Sequence, residues 1–236
     1  MLALMLVLAV QQTPAPMRSG EDVLRAMHDR YAGHWFTTLT FTQHNTATRP
    51  DGSVQHSTWK EYASLPGRLR IDFLPADSGN GAIYARDSQF TIQGHALKDA
   101  TPFVHPLMVL GFDVYFQPPD SVAAKLRALG TDLSLVREDT LDGRPMYVVG
   151  ARAGDLHTRQ FWVDRERLLF TRWIEPARRD STRTTESRFE NYFPSGPAWV
   201  SPRVEFKVDG KQVWLEEYVD INVNGPVPDS LFSPRR

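Results

Sequence analysis

The stretch that decides the fold is TTLTFTQHN, residues Thr37–Asn45. In it Leu39 and Phe41 alternate with threonines, and successive side chains of a β-strand point to opposite faces. The alternation therefore predicts a strand with one apolar face and one polar face. The apolar face packs against a protein core, a second sheet or a bound apolar molecule, and the stretch alone does not choose between them.

Composition narrows the classes of protein that this chain can be. Its 236 residues, 41% of them hydrophobic, suffice for one large β domain or two small ones. The formal net charge of -1 supplies no global basic field, so we expect no nucleic-acid partner. Cysteine is absent, which excludes disulfides, thiolate nucleophiles, cysteine-bound zinc and a lipidated lipobox cysteine. We expect no cofactor.

The N-terminus, residues 1–16, reads MLALMLVLAVQQTPAP. Its apolar run of about ten residues matches the hydrophobic region of a signal peptide and is too short to span a bilayer. We interpret it as a signal peptide or an apolar leader. It predicts an exported, periplasmic protein that is soluble once processed.

A helix is predicted directly after this leader. Ser19 can cap it, with Asp22 three residues later as in a capping box. Apolar residues then recur near helical spacing up to a predicted end around Gly33. They are Val23, Leu24, Met27, Tyr31 and Trp35.

Strands and tight turns fill most of the remaining chain. Turn signals stand at Asp51-Gly52, Pro66-Gly67, Asp87-Ser88, Asp142-Gly143 and Asp209-Gly210. Between them lie about ten or eleven strands, among them RLRIDFL, in which Leu69, Ile71 and Phe73 share a face, and QFTIQG, which carries Ile92. The chain shows no composition shift and no internal repeat, so residues 19–236 are predicted to form a single domain.

The segment between Thr101 and Gly130 breaks the alternation. Asp120 or Ser121 is expected to cap the short helix VAAKLRAL. Residues Phe103–Phe116, FVHPLMVLGFDVYF, are apolar on too many sides for a solvated helix. This segment is either a lid over an apolar site, with Met108 able to repack around a guest, or a plain core helix.

Hairpin-linked strands with helices on one face predict a mainly β (α+β) fold: one strongly curved antiparallel sheet wrapped around its helices. Three motifs in this order resemble the LolA/LolB-like superfamily of periplasmic lipoprotein and lipid carriers. They are LTFTQ at Leu39–Gln43, FWVDRERLLFTRW at Phe161–Trp173 and DINVNGPVPDSLFSPRR at Asp220–Arg236. The resemblance covers Gly20 to the C-terminus.

The resemblance implies an unclosed half-barrel of eleven antiparallel strands whose helices cover an apolar cavity on the concave face. It implies a non-catalytic, monomeric carrier for the acyl chain of a lipid or lipoprotein, with an inner-membrane donor and an outer-membrane acceptor. Leu65 stands before Pro66, where carriers of the LolA type have an arginine, and this favours a general lipid or hydrophobic-ligand carrier. The residues expected to bind the ligand are Leu39, Phe41, Leu69, Ile71, Phe73, Ile92, Met108, Leu110 and Phe112.

Other functions find less support in the sequence. His44 and His56 flank a hairpin, but no third metal ligand lies near them in sequence, so we expect no metal site. No GxSxG, HExxH or phosphate-loop motif is present, which argues against an enzyme. Glu216 and Glu217 are adjacent on a strand and must face opposite ways. The main alternative to a carrier is an envelope interaction or sensor module with a filled cavity and no ligand.

Overall fold

The computed structural model describes residues 17–234, so the predicted leader at residues 1–16 lies outside the described residues. This part of the chain contains three α-helices, fifteen β-strands and three short 3-10 turns. The helices are α1 (Gly20–Tyr31), α2 (Pro106–Gly111) and α3 (Pro119–Ala128), and the 3-10 turns are Ala76–Ser78, Asp113–Tyr115 and Asp229–Phe232. The strands are β1 (Thr38–Thr48), β2 (Val54–Ser64), β3 (Arg68–Phe73), β4 (Gly81–Ala85), β5 (Ser88–Gln93), β6 (Ala96–Pro102), β7 (Val136–Leu141), β8 (Arg144–Val149), β9 (Gln160–Asp164), β10 (Phe170–Pro176), β11 (Thr184–Glu190), β12 (Phe193–Ser195), β13 (Ala198–Val200), β14 (Arg203–Val208) and β15 (Lys211–Val223).

Thirteen of the strands form one antiparallel sheet in the order β6-β5-β4-β3-β2-β1-β15-β14-β11-β10-β9-β8-β7. The first and last strands of the chain, β1 and β15, are hydrogen-bonded neighbours in the middle of the sheet. Within the described residues β6 and β7 have no outer neighbour, so the sheet is not closed into a barrel. Strands β12 and β13 form a separate two-stranded sheet. The predicted mainly β, unclosed half-barrel is confirmed.

The predicted strand count of about eleven is wrong by two for the main sheet. Strand β6 was missed because its sequence, ALKDATP, is polar and almost wholly exposed at an edge, where no apolar face has to be buried. The stretch WVSPRVEFKV, residues 199–208, carries parts of two strands, β13 in the small sheet and β14 in the main sheet. Pro202 interrupts it between β13 and β14, because proline has no backbone N–H to donate to a neighbouring strand.

Two of the three Asp-Gly signals form two-residue hairpin turns, whereas Asp51-Gly52 lies in the five-residue loop 49–53 between β1 and β2. Asp142 and Gly143 both have positive φ and connect β7 to β8, and Asp209 and Gly210 do the same between β14 and β15. This is the two-residue turn whose twist matches that of the flanking strands. The turn expected at Asp87-Ser88 lies one residue earlier, at Arg86 and Asp87.

Helix α1 begins as the sequence predicts. Ser19 Oγ accepts a hydrogen bond from the Asp22 N–H at 3.3 Å, and Asp22 Oδ2 accepts one from the Ser19 N–H at 3.2 Å. This is the reciprocal capping box. The helix ends at Tyr31, two residues before the predicted end at Gly33.

The helices lie on one face of the sheet, the concave face, and the main core is formed between them. Val23, Leu24 and Met27 of α1 are fully buried there against apolar side chains of the sheet. The start of α1 approaches the sheet closely: the Gly20 N–H donates to Leu133 O at 2.7 Å, and a Cβ on Gly20 would stand 2.5 Å from Val149 Cγ1. None of the helices between residues 17 and 234 combines the length and apolarity needed to cross a membrane.

The central part of the chain holds two α-helices, one of them within Phe103–Phe116. Helix α2 and the turn Asp113–Tyr115 precede α3. Helix α3 begins at Pro119 with no side-chain cap, so the expected cap by Asp120 or Ser121 is wrong. Proline fits the first helical position because its missing N–H would be unpaired there in any case.

Candidate functional site

A mostly apolar recess lies between the concave face of the sheet and the central segment, which we define as Phe103–Phe116. Its floor is contributed by β1, β2, β3, β11, β14 and β15, and its roof by residues around α2. The space open to a water-sized molecule is about 120 Å³. Because the recess faces the middle of the sheet, its shape is set by strands that are far apart in the chain.

Six of the nine predicted ligand-binding residues line this recess. Leu39 and Phe41 come from β1, Leu69 and Ile71 from β3, and Met108 and Phe112 from the central segment. The ring of Phe41 stacks on that of Tyr218 with centroids 4.1 Å apart. A role for these residues in ligand binding remains a prediction.

The other three predicted residues lie elsewhere. Phe73 packs beside the recess, its ring centroid 5.0 Å from that of Trp59. Leu110 is fully buried in the core formed by the helices. Ile92 lies on the opposite, convex face, in a small cluster with Ile83 and Phe232. Alternation gives the period of a strand but does not say which face becomes concave.

The central segment contacts both the recess and the main core. Leu107, Met108 and Phe112 face the recess, whereas Val109 and Leu110 face the main core. The segment is tied to the sheet by Asp113, which is 3% exposed: its Oδ1 accepts the Gly67 N–H at 2.7 Å. Burial raises the pKa of Asp113 to about 6.

Sequence reasoning did not identify the polar groups in the recess. Gln43, Glu61, His105, Glu216 and Tyr218 line it together with the apolar residues. The sequence did carry a signal for Gln43, because the alternation that places Leu39 and Phe41 on one face continues through Gln43 and Asn45. Glu61 and Glu216 have no comparable signal, since the strands that carry them are mixed in polarity.

Glu216 is held by donors from its own strand. Tyr218 Oη donates to Glu216 Oε2 at 2.8 Å, and Trp214 Nε1 donates to Glu216 Oε1 at 3.1 Å. Burial nevertheless raises the pKa of Glu216 to about 7. Glu217 is exposed on the other face and pairs with Arg203 at 3.2 Å, so the two glutamates face opposite ways as expected.

Glu61 is the least compensated group in the recess. It is 5% exposed and stands between Phe41 on β1 and Ile71 on β3 in the strand register. Between residues 17 and 234 no donor hydrogen-bonds to its carboxyl and no cation pairs with it. Burial, with a smaller effect from the negative charge of Glu216, raises the pKa of Glu61 well above its ordinary value.

His105 faces the recess from the roof. Its ring packs edge-on against Tyr84, with centroids 5.0 Å apart, and its buried Nδ1 has no hydrogen-bond partner among residues 17–234. Burial, helped by the positive charge of Arg178, lowers the pKa of His105 to about 4. The ring is therefore neutral at physiological pH.

An aromatic cluster borders the recess beyond Glu61. The indole of Trp59 lies 5.0 Å from the ring of Phe73 and 5.3 Å from that of Trp214, measured between centroids. All three side chains are only partly buried. The recess thus combines an apolar floor, two enclosed carboxyl groups and an aromatic border, and within the described residues no serine, threonine, lysine or arginine lines it.

Comparison with known proteins identifies the fold. No family model matches the sequence, and no curated protein matches it significantly. Among solved structures, a DUF1329 family protein from Desulfovibrio piger has a TM-score of 0.58 and 14% identity, over 91% of this chain and 95% of that one. A LolA superfamily protein from Nitrosomonas europaea has a TM-score of 0.56 and 12% identity, over 89% of this chain and 97% of that one.

A third solved structure is a domain from Vibrio parahaemolyticus assigned as an outer membrane lipoprotein-sorting protein. Its TM-score is 0.54 and its identity 11%, over 90% of this chain and 95% of that one. At such low identity, similarity of structure identifies the fold and not the activity. The expected resemblance is confirmed at that level: this chain has the fold of the LolA superfamily proteins.

Proposed function

We propose that the protein is a non-catalytic periplasmic carrier that encloses an acyl chain of a lipid or lipoprotein in the recess under the central segment. The observation that carries the proposal is the recess itself, since the side chains of Leu39, Phe41, Leu69 and Ile71 form an apolar floor on a half-barrel. Burying acyl CH₂ groups there contributes about 0.8 kcal/mol each. A ten-carbon stretch would therefore contribute roughly 8 kcal/mol before the costs of ordering.

The size of the recess sets a condition on this function. Its volume of about 120 Å³ suits a benzene-sized group, because apolar cavities of about 150 Å³ bind benzene. A longer chain needs the roof to move. Met108 and Phe112 are the movable parts, since Met108 is flexible and both belong to a short helical segment held to the sheet by few polar contacts.

Transfer of the cargo between an inner-membrane donor and an outer-membrane acceptor belongs to the same proposal, with the protein acting as a monomer. The Vibrio parahaemolyticus domain supports a sorting role by its assignment. Export would depend on the predicted leader at residues 1–16.

One observation favours a second function. A recess of this size is small for a lipid, and a β-rich interaction or sensor module of the envelope with a filled cavity would show such a small recess. This module would bind its partner through an outer surface and take up no acyl chain.

Titration with N-phenyl-1-naphthylamine, a neutral probe that fluoresces in apolar sites, distinguishes the two functions. A carrier should bind the probe saturably with one site per chain and release it when a decyl-chain amphiphile is added. The absence of saturable binding would favour the interaction module.

A further inference from the structure

The carboxyl group of Glu61 is an anomaly in a site for acyl chains. Its neighbours across the strand register are Phe41 and Ile71, and within the described residues nothing donates to it. A buried carboxylate without a partner is strongly unfavourable. An apolar side chain would be expected at this position unless a ligand supplies the hydrogen-bond donor or the positive charge that the protein does not.

The charges around the recess favour a cationic ligand group. The acidic side chains in its lining are Glu61 and Glu216, and no lysine or arginine lines it within residues 17–234. Arg178 is close enough to act on His105, but it stacks over Phe103, with its Cζ 4.6 Å from the ring centroid, and does not line the recess. An anionic headgroup would meet two carboxyl groups and no compensating charge.

The aromatic border is a second observation in favour of a cation. Trp59 lies two residues before Glu61 on the same face of β2 and lines the recess with it. Its indole is accompanied by Phe73 and Trp214. Cations bind over aromatic faces, most strongly over tryptophan, and the attraction grows when the site is shielded from water.

Glu216 is suited to a supporting role. Its oxygens are occupied by Tyr218 and Trp214, which fix its position. Within the described residues Glu61 has no hydrogen-bond donor, so it is free to accept donors from a ligand. Both carboxyl groups can ionise when a cation enters, so this part of the recess can become negative.

We propose that the recess binds an amphiphile bearing a protonated amine, with Glu61 pairing with the ammonium group beside Trp59 while the apolar floor holds the chain. This inference rests on the proposed carrier function and specifies its ligand class. A charge-assisted pair of this kind replaces the missing partner of Glu61. The ligand would be a cationic or zwitterionic lipid rather than a free fatty acid.

Proton linkage gives the inference a signature. The pKa of free Glu61 is raised, so ammonium binding must displace a proton and should strengthen as pH rises from 5 to 8. The facing titratable groups are Glu216, which titrates near 7 and reinforces this trend, and His105, which is already neutral above pH 5. Tyr84 and Tyr218 have raised pKa values and stay neutral throughout.

Competition among three ten-carbon amphiphiles tests the inference. Decylammonium, decanol and decanoate are each used at pH 7.5 to displace N-phenyl-1-naphthylamine from the wild type, Glu61→Gln and Glu217→Gln. We expect decylammonium to compete at least about tenfold better than decanol in the wild type, and decanoate worst. Glu61→Gln should bring decylammonium and decanol within about threefold of each other. Glu217→Gln, which removes a carboxyl from the opposite face, should keep the full preference.

The outcomes separate the two proposals. Equal competition by all three amphiphiles, or a preference for decanoate, would overturn the amine inference and leave the carrier function standing. Failure of the probe to bind the wild type would overturn both. If Glu61→Gln does not fold, the pH dependence of competition in the wild type tests the inference. A preference for decylammonium that does not increase between pH 5 and pH 8 would contradict the role of Glu61.

Discussion

Glu61 on β2 stands directly opposite Phe41 on β1, so a carboxyl group and an aromatic ring share the floor of the recess. The pairing shows that the concave face is not a uniform apolar lining. It holds polar groups at fixed places within an apolar surface, which is the pattern of sites that orient a ligand as well as enclose it.

Met108 tests whether the recess is the binding site. Met108→Gln preserves the length of the side chain and introduces a polar amide that an acyl chain cannot satisfy, so probe affinity should fall about tenfold. Met146→Gln is the matched control, because Met146 is 2% exposed but lies in a cluster on the convex face. Fluorescence titration should show the loss only for Met108. Equal losses in both variants would mean that general destabilisation is responsible.

Glu216 should give stability a measurable pH dependence. Its pKa is about 7 in the folded protein and near 4.5 when unfolded, so the folded state binds the proton more tightly. The stability it contributes is fully present below about pH 4.5 and is lost as pH rises through 7. The wild type should therefore lose stability relative to Glu216→Gln as pH rises. From pH 5 to pH 8 the difference in unfolding free energy should shift by roughly 1 to 3 kcal/mol in favour of the variant.

Urea unfolding at the two pH values measures this difference. Glu217→Gln provides the control, because Glu217 is exposed and should leave the pH profile of the wild type unchanged. A profile for Glu216→Gln parallel to that of the wild type would show that the carboxyl does not titrate in this range.

Asp113 should control the opening of the roof. Asp113→Ala removes the acceptor of the Gly67 N–H and should lower the unfolding free energy by about 1 to 3 kcal/mol. It should also speed entry of the probe, since the central segment loses its anchor to the β2–β3 turn. Stopped-flow fluorescence measures that rate, with the exposed Asp120→Ala as the control. An unchanged association rate in Asp113→Ala would show that opening does not involve this contact.

Ser19 separates stability from binding. Ser19→Ala removes the acceptor of the Asp22 N–H and should cost about 0.5 to 2 kcal/mol of unfolding free energy. Because α1 packs on the core away from the recess lining, probe affinity should stay within about twofold of the wild type. A large loss of affinity would indicate that α1 shapes the recess.

The sequence was sufficient for the strands whose pattern is local. Alternation around Leu39 and Phe41 and the Asp-Gly turns carry their own signal, because the period of a strand and the twist of a hairpin are properties of a few neighbouring residues. The capping box at Ser19 is local in the same sense. Strand β6 has no such signal, since an exposed edge needs no apolar face.

What the sequence could not supply was the relation between distant strands. Ile92 shares the period of the recess residues and still lies on the convex face, because the register of β4 and β5 decides its side. Glu61 and Glu216 are about 155 residues apart and meet the same recess only because β2 and β15 flank β1. Their environment follows from sheet topology, which no short window of sequence encodes.

The central claim is that the recess carries an acyl chain, and native mass spectrometry of the protein tests it most directly. The protein should be produced with the predicted leader at residues 1–16, recovered from the periplasm without detergent and measured intact. We expect a stoichiometric additional mass of lipid or lipopeptide size that is released on collisional activation and is reduced in Met108→Gln. A clean mass of the protein alone, unchanged after incubation with membrane lipids, would contradict the claim.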